Sequence, residues 1–232
     1  MDAGLLPALS LGFLFGLQHA TDADHVVAVA TIVSRTRRFD AGALVGAFWG
    51  IGHTATIAMV GMAIIVFNVT VTPSIGLTME LAVALMLMGL GIFRVVRAVR
   101  ERGEAPHAAP RAMHGLRGIV ETVGRGQAAR SLGIGLVHGL AGSAAVALLV
   151  LSTVRSPYAA LAYLALFGFG TIVGMTAITA LLSLPFAAPL PALNRVLALG
   201  TGVLSFGLGL YLTVQIGFVD GLLLGHAVWT PR

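Results

Sequence analysis

The chain has 232 residues, of which 57% are hydrophobic and only 10% charged, with a formal net charge of +5. Soluble domains carry about a quarter charged residues, so this composition excludes a soluble globular protein and indicates an all-α integral membrane protein. All fourteen basic residues are arginine and cysteine is absent; the basic excess reads as topology-setting against anionic lipid rather than as a nucleic-acid surface, and disulfides, thiol relays and thiolate metal sites are excluded.

A helix crossing a bilayer needs about 20 apolar residues, and six such spans are expected. The chain opens Met1-Asp2 with no basic n-region, so no cleaved signal peptide is expected. The first span, 5–33, is long for one straight crossing, and a break near its polar cluster is one solution. That cluster is "LQHATDADHVV" (17–27), with His19, Asp22, Asp24 and His25 inside seven residues. The second span, 41–67, carries His53 in "GIGHTATIA", and the third is 76–99. Residues 100–130 form the long polar stretch, a loop with room for a short surface helix; its His107 and His114 read as solvated. The fourth span, 131–154, holds His138 and Ser143, the fifth, 158–184, holds Thr171, and the sixth is 195–216. A short tail, 217–232, follows. Trp49 and Trp229 read as packing or interfacial anchors, and "NVT" at 68–70 as a chance sequon.

Arginines orient the spans. Arg35, Arg37 and Arg38 fall after the first span, eight more lie between Arg94 and Arg130, and Arg195 follows the fifth, against only Arg155 and Arg232 on the other side. The positive-inside rule then puts both termini outside the cytoplasm. An internal repeat is visible as well. "GLQHATDADHVVAVATIVS" (16–34) aligns with "GLVHGLAGSAAVALLVLST" (135–153), "FWGIGHT" (48–54) with "LFGFGTI" (166–172), and "MGLGIF" (88–93) with "FGLGLY" (206–211). The offsets are 119, 118 and 118. Repeat one is 5–99 and repeat two 131–216, in a single transmembrane domain. Three spans is an odd number, so the two units face opposite ways, an inverted repeat of the kind that places a transport site near the midplane.

At about 100° per residue, His19, Asp22 and His25 share one face of a continuous helix within an arc of about 120°, while Asp24 points about 140° from His19. An aspartate at the bilayer centre costs roughly 2.5–3.5 kcal/mol, so both carboxylates must face protein, water or a cation. Imidazoles and carboxylates without thiolate suit a borderline divalent metal such as nickel, cobalt or zinc, and a carboxylate on a ligating histidine is an ordinary supporting contact. A proton relay and plain interhelical hydrogen bonding are the competing readings. His53 and His138 lie at similar depth and join the candidate metal ligands, with Thr171, the repeat-mate of His53, and Ser143 as pathway candidates.

"HATDADH" (19–25) resembles the H-x4-D-H signature of the nickel/cobalt transporter family. "GHTATIA" (52–58) is similar to that family's G-H-S-T-V-V type element, and "GFGTIVGM" (168–175) is more distantly similar to its L-G-F-D-T element. The resemblance implies a nickel or cobalt permease with His19, Asp24 and His25 as signature residues, Asp22 belonging to the H-A-x-D-A-D-H version and His53 to the second motif. It departs in span number, six against eight, and in Gly170 and Thr171 standing where an aspartate is expected. The chain is thus more similar to the short permeases associated with urease and hydrogenase nickel supply. In that family Asp24 belongs to the site, which requires the helix to bend around 20–24.

The resulting expectation is a secondary permease of a bacterial inner membrane, multi-pass, that moves Ni²⁺ or Co²⁺ as substrate with no resident cofactor, in contact with lipid, and with room for a homo-oligomer or accessory subunit. A proton-coupled exporter of a small amino acid or anion, using the cluster as a relay, is the alternative. A metal-dependent membrane hydrolase is disfavoured, since H-E-x-x-H is absent and the spans of these histidines hold no glutamate to act as base.

Overall fold

The structure, a computed structural model, describes residues 5–34, 38–67, 72–100, 116–140, 156–187 and 190–229. They are helices and turns, with no strand among them. The elements are α1 (Leu5–His19), α2 (Ala23–Val33), α3 (Phe39–Phe67), α4 (Pro73–Arg100), α5 (Leu116–His138), α6 (Pro157–Ala187) and α7 (Pro191–Val214), which runs into a π turn, Gln215–Val219. The stretches Phe39–Ala63, Pro73–Arg100, Tyr158–Ala187 and Pro191–Val219 are each long and apolar enough to cross a membrane. Exposed Met59, Phe67, Tyr158, Val196, Val203 and Tyr211 line the outside, as a lipid-facing surface requires. This is a membrane protein.

The first expected span is broken. The amide of Thr21 and its hydroxyl both bond the Gln18 carbonyl (2.8 and 2.5 Å), and the Asp22 amide bonds that of His19 (3.2 Å). These tight turns take the carbonyls that would carry α1 onward. Asp22 adopts extended angles (φ −58°, ψ 145°) and its carbonyl starts α2 through the Val26 amide at 3.0 Å. Short polar side chains favour such a non-helical junction.

α3 is the central post. It packs on α5 and α6, α1 packs on α6, and α4 packs on α7, while α2 lies against α4, α6 and α7. Glycines set these approaches, as expected where lipid leaves close packing to hold helices together. A Cβ on Gly16 would strike the Phe167 carbonyl and Thr171 amide, and one on Gly135 the Trp49 carbonyl and His53 amide. Gly52 meets Leu132 as Gly170 meets Phe13, and Gly91 meets Phe206 as Gly209 meets Met88. Every residue in these paired contacts maps onto its counterpart at a displacement of 118 or 119.

Two sequence expectations shift. Residues 116–130, expected in the loop with room for a short surface helix, form the first part of α5, which kinks at Gly124, whose φ of 67° favours glycine. Arg94, counted among the loop arginines, is buried in α4, its guanidinium 3.5 Å from the Ser34 carbonyl at the end of α2. Trp229 bonds Glu80 at 2.8 Å and ties the tail to α4. The second half of the fourth span, Arg35, Arg37, His107, His114 and the 68–70 sequon lie outside the described residues.

Candidate metal centre

Four histidines meet where α1 ends. His19 is the last residue of α1, His25 lies in the first turn of α2, His53 is midway along α3, and His138 is the last residue of α5. His25, His53 and His138 are at most 1% exposed and His19 is 5% exposed. Ring centroids lie 4.5 Å apart for His19–His25, 4.9 Å for His25–His53, 5.0 Å for His19–His53 and 4.3 Å for His25–His138. Two helices, α1 and α5, therefore aim their C-terminal ends at the cluster, and the negative end of a helix dipole favours a cation.

The hydrogen bonds fix which nitrogens are free to bind. His19 Nδ1 donates to Asp22 Oδ2 at 2.9 Å, which leaves Nε2 as an acceptor. His53 Nε2 stands 2.9 Å from that nitrogen and donates to it. His25 Nδ1 donates to Asp24 Oδ1 at 2.9 Å, an oxygen that also takes the His25 amide at 2.9 Å. Its Nε2 is left buried without a partner among the described residues. His138 Nε2 donates to Asp24 Oδ2 at 3.1 Å, leaving its own Nδ1 buried without a partner among the described residues. Asp22, the N-cap of α2, makes no side-chain cap bond; its carboxylate serves His19 instead, although such caps contribute about 1 kcal/mol.

Two candidate ligand sets result. The ligand atoms of His19, His25 and His53 lie within 4.8 Å of one another, and so do those of Asp24, His25 and His138. Each carboxylate holds a histidine in the tautomer that frees Nε2, the usual support of a metal-binding imidazole. Asp22 and Asp24 are 37% and 17% exposed at the side chain, so the wetter edge of the cluster is its acidic edge.

Asp24 thus faces the cluster. A continuous helical wheel turns it away, and that wheel fails because α1 stops at His19. For the same reason His19, Asp22 and His25 meet across a turn and not on a helix face. Thr171 is buried, but its hydroxyl bonds the Phe167 carbonyl at 2.9 Å, within its own helix. Ser143 lies outside the described residues. Trp49 is 1% exposed, so it is a wall of the cluster and not an interfacial anchor, with its ring 5.5 Å from His25 and 5.4 Å from His138. Its place four residues before His53, one turn along the same face, was a readable signal. Phe167 stands in the same relation to Thr171, 5.5 Å from the His19 ring.

The chain is 34% identical over 225 residues to the urease accessory protein UreH of Bacillus sp. (strain TB-90), an alignment that covers 94% of this chain and 95% of that protein. No protein-family model matches the chain. No solved structure matches it either.

Proposed function

This chain belongs to the family of the urease accessory protein UreH, and on that premise we propose that it is a secondary permease for a divalent transition-metal ion, Ni²⁺ or Co²⁺. The observation that carries this reading is the buried triad of His19, His25 and His53, whose ligand atoms lie within 4.8 Å of one another. Three imidazoles without sulfur suit nickel, cobalt and zinc. The relative's name ties it to urease, and the motif resemblance is to permeases that supply nickel to urease and hydrogenase.

The geometry favours an ion as occupant. Imidazole nitrogens bound to one ion at about 2.0–2.1 Å stand about 2.9 Å apart at a right angle, and His19 and His53 Nε2 are 2.9 Å apart. Entry of an ion between them requires the His53 proton to shift from Nε2 to Nδ1, a nitrogen that is buried without a partner among the described residues. Asp22 and Asp24, each hydrogen-bonded to a ligand, together balance the charge of a divalent cation. Without that balance a charge at this depth is costly.

Six crossings follow if α1 and α2 form one broken span and α5 another. The paired glycine contacts at one displacement support two inverted three-helix units, with the broken helix at their interface. Arginine placement supports a bacterial inner-membrane location with both termini outside the cytoplasm.

One observation favours a second reading. The cluster is also a hydrogen-bonded chain, Asp22–His19–His53 and His25–Asp24–His138, which is what a proton relay in an exporter of a small amino acid or anion would use. Uptake of radiolabelled nickel into proteoliposomes, with cobalt and zinc as competitors, separates the two. The permease reading expects saturable uptake that is lost in His19→Ala and His25→Ala variants which still insert. Uptake unchanged in those variants would end it.

A further inference from the structure

The two ligand sets share His25 and differ in everything else, and we infer that they are successive stations for one ion, with His25 as the pivot. This rests on the permease reading above. The first station is His19, His25 and His53; the second is Asp24, His25 and His138.

Three observations carry the inference. The His25 ring is 4.5 Å from His19 and 4.3 Å from His138, so it lies between them at nearly equal distance. His19 and His138 correspond to each other at the displacement of 119 that relates the two halves, and each ends its helix. A transport path with two mirrored faces has one such residue for each face. Lastly, the nitrogens that face Asp24 are His25 Nδ1 and His138 Nε2, and their protons have a place to go, because His25 Nε2 and His138 Nδ1 are buried without a partner among the described residues.

The chemistry of the stations differs in the direction that a transfer needs. The first offers three neutral imidazoles, with its carboxylates one bond further out. The second offers the Asp24 carboxylate itself, once the protons it now accepts shift within each ring, from Nδ1 to Nε2 of His25 and from Nε2 to Nδ1 of His138. The ion exchanges His19 and His53 for Asp24 and His138, and His25 passes it across one ring, from Nε2 to Nδ1. A site that binds at every stage but holds weakly enough to release is what conduction requires.

The test separates binding from turnover. In His138→Gln the first station is intact, so nickel affinity measured on purified protein stays within about threefold of wild type while proteoliposome turnover falls by about 10–100-fold. If His138 only positions Asp24, affinity and turnover fall together, and the two-station inference is overturned. Wild-type turnover in this variant overturns it as well. A second arm does not depend on transport. The chain has no cysteine, so His138→Cys introduces a single thiol, and Co²⁺ added to this variant gives a near-ultraviolet thiolate-to-cobalt charge-transfer band. Absence of the band from folded protein that binds cobalt overturns the second station. A wild-type chain that neither binds nor transports nickel defeats the permease reading itself, an outcome distinct from all of these.

Discussion

The two ends that meet at the centre are built alike and equipped differently. Gly16 presses α1 onto the backbone of Phe167 and Thr171, and Gly135 presses α5 onto that of Trp49 and His53. Each of these helices then stops at a histidine, His19 or His138. Beyond that point the likeness ends. The first segment continues with Asp22, Asp24 and His25, all turned to the cluster. On the partner helices, α3 supplies His53 to the cluster, whereas α6 supplies Thr171, whose hydroxyl is bonded into its own helix. The packing frame is common to both halves, and the charge chemistry sits almost wholly in one. Small residues at a helix contact tolerate little change, while ligands need only occur once.

The sharpest way to break the comparison is at its shared residue. His25→Ala removes a ligand from both sets, and nickel affinity falls by on the order of 100-fold or more, read by equilibrium dialysis of purified protein. Asp24→Asn comes next. It takes the acceptor from His25 and His138 together, so affinity falls by about 10–100-fold; Asp22→Asn serves only His19 at a half-exposed position and costs less. Isothermal titration of both variants ranks them, and equal losses would contradict the assignment. Proton competition is the third test. Imidazole binds metal only when neutral, so protons compete with the ion and nickel affinity falls as the solution is acidified. A pH series of nickel binding checks the sign.

The frame itself predicts a smaller and more even effect. Gly16→Ala and Gly135→Ala each push a methyl group into a backbone carbonyl, and each destabilises by about 1–3 kcal/mol, read as thermal unfolding in detergent. Gly135→Ala also displaces Trp49 and His53 and weakens nickel binding, which Gly16→Ala spares. The smallest effect belongs to Thr171→Val, which removes no ligand and leaves nickel uptake within about threefold.

Much of this was legible in the residues. Four ionisable groups within seven residues of an apolar span required partners, and the length of the first span pointed to a break. The repeat placed His19 with His138 and His53 with Thr171. The orientation of Asp24 was beyond a helical wheel, because a wheel assumes continuity and the Thr21 and Asp22 turns end α1. A short surface helix was allowed for within 100–130, but charge and glycine content hid that it runs on into the fourth span as one element, α5. Trp49 was read by residue type, although its spacing from His53 already placed it beside the cluster. That Asp24 joins two histidines on different helices, 114 positions apart for His138, is a tertiary fact with no local signal.

The central claim is that the three imidazoles of His19, His25 and His53 bind the cargo ion. Metal stoichiometry tests it most directly: purified protein dialysed against Ni²⁺ above pH 7 and assayed for metal per chain. The account predicts one tightly held nickel ion per chain, lost in His19→Ala and in His53→Ala, in protein that remains folded. Wild-type protein without bound nickel, or variants that keep the ion, would contradict it.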